Sequence, residues 1–172
     1  MAGTQKMLVA SRDHALKPGS QMEGIAVPDA LAAPPTLAGD GLLWLPRHRS
    51  SVLAARLLLR NFLAGIPGGD ALVTTGELVL SELTTNAVVH ARVPKGRRIA
   101  IRFESVCDHL RVEVHDASNE KPAIRRATDL DGLSGRGLCL VEVLSLEWGF
   151  EPRPEGIGKI VWALVGPEGG VE

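Results

Sequence analysis

Glu77-Leu78-Val79-Leu80-Ser81-Glu82-Leu83-Thr84-Thr85-Asn86-Ala87-Val88-Val89-His90-Ala91 is the stretch on which the fold turns. Glu82, Asn86 and His90 recur at four-residue steps, which stacks them in one polar line on a helix. Leu72, Val79, Leu83 and Ala87 form an apolar stripe beside that line, the pattern of a helix laid on a core. A carboxylate, a carboxamide and an imidazole therefore sit on the shoulder of a buried helix, where they could floor a ligand site. The spacing alone does not decide this, because a solvated helix face also carries such pairs.

Reading outward, Asp70 opens this helix after the breaker Gly65-Ile66-Pro67-Gly68-Gly69, and the helix ends before Pro94. Upstream, Leu42-Leu43-Trp44-Leu45 reads as a short strand ended by Pro46. Ser50 or Ser51 then caps a helix through Val52, Leu53, Leu57, Leu58, Asn61 and Phe62. Downstream, Arg98–Glu104 and Leu110–Asp116 alternate apolar and polar residues and read as an antiparallel hairpin turning through Cys107-Asp108-His109. Residues from Ala117 to Gly135 show no period and are expected to form a lid or binding loop. Gly137–Leu144 is helical in pattern, and two closing strands follow, Leu146–Phe150 and Lys159–Val165.

This order predicts an α+β fold. It is a two-layer α/β sandwich with about five strands in a mixed, mainly antiparallel sheet and three main helices on one face. Residues 1–40, with Pro28, Pro34 and Pro35 in Ala-rich text, read as a flexible tail. Residues 41–166 are expected to form the single domain, and 167–172 a frayed end.

Composition narrows the function classes. The 172 residues are 45% hydrophobic and 23% charged, ordinary for one globular domain with a proper core. A net charge of −1 argues against a direct nucleic-acid reader. Arg47, Arg49, Arg56 and Arg60 do cluster, and read as a solvated face or a partner contact. Cys107 and Cys139 fit neither a disulfide framework nor a metal site, and read as small core residues in a reducing compartment. No apolar run reaches the ~20 residues of a membrane span, and the start lacks a signal-peptide core, so a cytoplasmic protein is expected.

Several chemistries are excluded by pattern. There is no Walker-type phosphate loop and no His-Glu-x-x-His. Gly132-Leu133-Ser134-Gly135 is not a nucleophile elbow, since Arg136 stands where the closing glycine belongs. Three features are left: the Glu82/Asn86 helix, Asp116 at a strand exit, and Gly132-x-x-Gly135-Arg136-Gly137 running into a helix. Backbone N–H groups at such a helix start offer an anion site, and glycines allow close approach. Taken singly, Asp116 is also a turn residue and the glycines also a plain connection.

Together these residues resemble the GHKL ATPase superfamily, whose fold is the Bergerat sandwich. Glu82-x-x-x-Asn86 resembles the N box, Val114-His115-Asp116-Ala117-Ser118 the first glycine box, and Gly135-Arg136-Gly137-Leu138-x-Leu140-Val141 the second. Gly158-Lys159-Ile160-Val161-Trp162 resembles the closing motif. The short form is most similar to the anti-sigma-factor serine/threonine kinases of bacterial partner-switching systems, over about Leu42 to Val165. The resemblance implies ATP and Mg²⁺ as cofactors. It gives Asn86 the role of magnesium ligand, Glu82 that of the base activating the attacking group, and Asp116 that of acceptor for the adenine amino group. Ser118, Gly132, Gly135, Gly137 and Leu138 fall in the nucleotide-binding boxes. Arg136 would add positive charge near the phosphates, an assignment from its own chemistry. His90 reads as structural.

Two departures stand out. The first box has Asp116-Ala117-Ser118 in place of Asp-x-Gly, and Ile160 occupies the place of the Thr expected near adenine. The leading reading is a kinase that sequesters a sigma factor and phosphorylates an antagonist protein on serine. The alternative is a non-catalytic binding module of the same fold with weakened or lost ATP binding. A homodimer is implied by the resemblance, with the first strand and first helix as candidate contact surface.

Overall fold

The computed structural model describes residues 36–37, 41–90, 96–122, 137–154 and 156–167. In chain order the elements are β1 (Thr36–Leu37), β2 (Leu43–Pro46), α1 (Ser50–Ala64), a 3₁₀ turn (Gly69–Leu72), α2 (Val73–Thr85) and a π-helical turn (Asn86–His90). After these come β3 (Arg98–Val106), β4 (His109–Asp116), α3 (Gly137–Leu144), β5 (Glu147–Pro152) and β6 (Lys159–Val165). The strands form one sheet in the order β1-β2-β3-β4-β6-β5. Every pairing is antiparallel. The fold is the expected two-layer α/β sandwich, five full strands with a two-residue strand added at one edge.

Alternation along the strands sorts the two faces of the sheet. Leu45, Ile99, Ile101, Val112, Val114, Ala163 and Val165 point to the helices and are almost completely buried. From the helices, α1 contributes Ala55, Leu58, Leu59 and Leu63, and α2 contributes Val79, Leu80 and Leu83, the i, i+3, i+4 spacing of a core-facing stripe. Each such leucine contributes roughly 1.5–3 kcal/mol by leaving water. At Gly76, α2 comes so close to the sheet that a Cβ would stand 2.8 Å from Leu110 Cδ2 and 3.3 Å from Leu59 Cδ2.

Element ends differ from the sequence reading in instructive ways. Pro46 closes β2 instead of following it, since β1 pairs with β2 only at Leu43 and Trp44 and leaves no ladder N–H for position 46 to supply on that side. Neither Ser50 nor Ser51 caps α1 through its side chain. The Ser51 hydroxyl instead donates to the Pro46 carbonyl at 2.6 Å, fastening the strand to the helix. Asp70 lies in the 3₁₀ turn, and α2 starts three residues later. The last closing hairpin is β5–β6, with β5 running on to Pro152.

The arginine cluster is partly solvated and partly tied down, and one cysteine departs from expectation. Arg56 donates to Glu77 Oε2 at 3.0 Å, and Arg60 pairs with both oxygens of the same carboxylate. The pair thus ties α1 to α2 across the helical layer. Glu77 is buried, which pushes its carboxyl pKa up, but the hydrogen bonds and charges of Arg60 and Arg56 outweigh this and hold it below the ordinary value. Arg47 Nη1 donates to the Val88 carbonyl at 3.1 Å and so anchors the π turn, while Arg49 is exposed. Cys107 is exposed in the β3–β4 turn with φ of 55°, and Cys139 is half-buried. Cys107 is therefore no core residue; the tight two-residue turn places it outside.

Candidate functional site

β4 lies between β3 and β6 and ends on Asp116, so the carboxylate emerges mid-sheet, beneath the end of α2. The β4–β6 register pairs Asp116 with Lys159 and Val114 with Val161, side chains on the helix side. These four residues line an open cleft with Leu83, Asn86, Ala87, Ser118, Leu138 and the loop residues Glu120, Lys121 and Pro122. The cleft is open to solvent at its mouth. Its floor is apolar (Leu83, Ala87, Val114, Leu138, Val161), and Asn86, Asp116, Ser118, Glu120, Lys121 and Lys159 supply its polar groups, a composition suited to a flat heterocycle with a polar edge.

Asp116 is buried and held from two directions. Its Oδ1 accepts from the Ser118 backbone N–H at 2.7 Å and from Lys159 Nζ at 3.0 Å, and its Oδ2 takes Lys159 Nζ at 2.9 Å. Lys159 Nζ also donates to the Ser118 carbonyl at 3.2 Å. Ser118 does a local job where a glycine was expected: its hydroxyl accepts from the Glu120 N–H at 3.2 Å. Its backbone is not in the left-handed region, so a side chain fits there without strain. Asn119 Oδ1 accepts from the Gly158 N–H at 2.9 Å, tying this loop to the start of β6.

Asn86 stands where α2 passes from α to π winding, its own N–H still bonded to the Glu82 carbonyl. Such π turns often mark functional positions. The carboxamide reaches the cleft, yet its Nδ2 is buried with no hydrogen-bond partner among the described residues. A buried unpaired amide costs roughly 1–3 kcal/mol, which is tolerable where a ligand completes it.

One turn earlier, Glu82 is half-buried and lies against the first residue of α3. A Cβ on Gly137 would collide with Glu82 Oε2, so only glycine lets the carboxylate occupy that place. Glu82 does not itself line the cleft; it borders it beside Asn86.

The structure thus gathers Asn86, Asp116, Ser118 and Leu138 around one cleft, with Glu82 and Gly137 in contact at its border. Gly132, Gly135 and Arg136, most of the expected lid, and the His90 side chain lie outside the described residues. Ile160 is a correction. It was expected beside the base, but it sits on the opposite face of the sheet, in register with His115 and almost completely buried. Period-two alternation puts Lys159 and Val161 on the cleft side instead. Lys159 was missed by the sequence reading, although its direct pairing with Asp116 follows once the register is known.

A family model for histidine kinase-like ATPase domains matches residues 45–163, which spans α1 to β6 and so the whole cleft. The chain belongs to this family. It carries an ATP-binding, kinase-like domain of the GHKL superfamily. Comparison with curated proteins finds no match. In this ATPase domain no helix among the described residues is long and apolar enough to cross a membrane.

The magnesium expected with ATP can be tested against the donor set. Among the described residues no cluster of three His, Cys, Asp or Glu side chains could hold a metal alone. Mg²⁺ does not require one, since it keeps waters and takes phosphate oxygens with one or two protein ligands. The Asn86 carboxamide at the cleft, whose Nδ2 has no partner among the described residues, fits that demand; turned about its last torsion, it presents the oxygen instead.

Proposed function

We propose that this ATPase domain is a protein serine/threonine kinase of the anti-sigma-factor type, which sequesters a sigma factor and phosphorylates an antagonist protein on serine. The observation that carries the reading is the joint placement of Asn86 and Asp116 in one cleft, with Glu82 at its border against the start of α3.

In this reading Asp116 accepts a hydrogen bond from the adenine amino group, and the apolar floor takes the ring. Asn86 gives its carboxamide oxygen to Mg²⁺, which when bound would neutralise phosphate charge. Glu82 accepts the proton of the attacking serine hydroxyl, a task for a carboxylate within hydrogen-bond reach. Gly137 leaves room for that carboxylate. Arg136 lies next to this point in the chain and would add positive charge toward the phosphates.

The protein partners follow from the resemblance, and β2 with α1 is the surface we assign to a second copy. Arg56 and Arg60 serve it indirectly, since both are engaged with Glu77, whereas Arg49 is exposed.

Calorimetry with ATP tests the reading, with and without Mg²⁺, on wild type and on Asn86→Ala. Wild type should bind ATP more tightly with the metal, and the variant should lose that gain. No ATP binding by wild type at millimolar concentration would overturn the kinase and leave a binding module. Phosphorylation of a co-purifying protein on serine, abolished in Glu82→Ala, is the expected second result.

A further inference from the structure

Lys159 and Asp116 form a donor beside an acceptor on the wall of the cleft. They face each other across the β4–β6 ladder, and Lys159 Nζ lies 2.9–3.0 Å from the two carboxylate oxygens. The Lys159 side chain is only 13% exposed, so its ammonium is confined to this corner and not swinging in solvent.

Counting hydrogen bonds shows what the pair can still do. An ionised carboxylate offers about four acceptor positions. Among the described residues, Oδ1 uses two, for the Ser118 N–H and Lys159, whereas Oδ2 uses one, for Lys159. Oδ2 therefore has room for a further donor without loss of the ion pair. The ammonium has three donors, and its longest contact, 3.2 Å to the Ser118 carbonyl, is the one most easily exchanged. The corner thus presents an open acceptor next to an exchangeable charged donor. A 6-aminopurine presents the complement along one edge: an amino donor at position 6 and a bare ring nitrogen, an acceptor, at position 1.

We propose that Lys159 reads the base directly, donating to ring nitrogen N1 of adenine while Asp116 accepts from the amino group. This rests on the ATP-binding reading given above and adds a second reader of the base edge to it. Lys159 then does from the protein what a hydroxyl and water would do if Thr stood near the base. Ile160, on the far face, is irrelevant to the nucleotide.

The test uses three nucleotides, ATP, GTP and 1-deaza-ATP, in which a C–H replaces N1, titrated by calorimetry into the full chain. Wild type should bind 1-deaza-ATP about tenfold more weakly than ATP, the worth of one charge-assisted hydrogen bond. Lys159→Met should bind ATP about tenfold more weakly than wild type and bind ATP and 1-deaza-ATP alike, and Lys159→Arg should restore part of the preference. Equal binding of ATP and 1-deaza-ATP by wild type overturns the proposal with no variant needed. A Lys159→Met protein that weakens ATP and 1-deaza-ATP by the same factor shows that Lys159 only steadies Asp116, and also overturns it. Tighter binding of GTP than ATP would mean that Lys159 faces position 6 and Asp116 position 1, a third overturning result. Absence of any nucleotide binding by wild type sinks the ATP-binding reading itself, and is distinct from the other three.

Discussion

The Glu82 carboxylate lies directly against the Cα of Gly137, so that α2 and the start of α3 meet through one acidic side chain and one missing methyl. Gly137→Ala should therefore disturb chemistry more than folding. The colliding atom is the end of a flexible side chain, which can swing aside cheaply, and Ala is favoured over Gly in a helix by up to ~1 kcal/mol. We expect a melting temperature at or above that of wild type, ATP affinity within about twofold, and ATP turnover reduced toward the level of Glu82→Ala. Wild-type turnover in Gly137→Ala would remove Glu82 from the reacting site.

Asn86 poses the opposite trade. Its buried Nδ2 has no partner among the described residues, so Asn86→Ala should leave the nucleotide-free protein as stable as wild type or more so, by up to about 1 kcal/mol. In saturating Mg-ATP the order should reverse, because wild type gains more stability from the ligand than the variant does. Thermal melts of both proteins, with and without Mg-ATP, check this; a destabilised apo variant would show that the carboxamide has a structural role.

Acid should act through Glu113, on the far face of the sheet. Burial raises its pKa, but hydrogen bonds from His115 (3.2 Å) and Arg111 (2.9 Å) and the charges of these groups outweigh that and bring it from 4.5 to about 2. Arg102 stands 3.8 Å away, and Arg111 also stacks 4.2 Å over the Trp162 ring. A depressed carboxylate pKa gives stability that is present above the unfolded pKa and lost as pH falls through the folded one. Stability should therefore decline between about pH 4.5 and pH 2, by about 3 kcal/mol at most from this group. Glu113→Gln should flatten that part of the curve. Denaturant unfolding across this pH range in both proteins is the measurement, and parallel curves would discount Glu113.

Gly76 tests how closely α2 is seated. Gly76→Ala trades a helix-propensity gain of up to ~1 kcal/mol against a Cβ 2.8 Å from Leu110 Cδ2, and should come out near neutral. Gly76→Val adds two methyl groups with nowhere to go and should cost about 1–3 kcal/mol. Equal stability of the two variants in urea would mean that α2 lifts readily off β4.

Much of this was legible from the chain because it rests on periodicity. Alternation in Arg98–Glu104 and Leu110–Asp116 gave β3 and β4, the four-residue steps of Glu82 and Asn86 gave the helix under the cleft, and Asp116 marked the strand exit. What escaped depends on three-dimensional pairing. Glu77 looked like another charged residue on a helix until Arg56 and Arg60, on a different element, closed on it. The face on which Ile160 lies is a question of β4–β6 register, and a one-residue offset exchanges it with Lys159. The change to π winding at Asn86 has no local signal, since Ala87, Val88 and Val89 suit an ordinary helix turn equally well. The tie from Arg47 to Val88, which anchors it, comes from the loop before α1.

That π turn has a bearing on how the chain tolerates changes of length. A π turn holds one residue more than the α turn it replaces, so the segment Asn86–His90 carries a spare residue. Removing one of Ala87, Val88 or Val89 would let the helix wind as an ordinary α-helix through this point without turning its two sides out of phase. Glu82 and the N-terminal part of α2 would keep their seats. Loss of one codon here would thus leave a sound scaffold, so this stretch tolerates a change of length that an α turn would not.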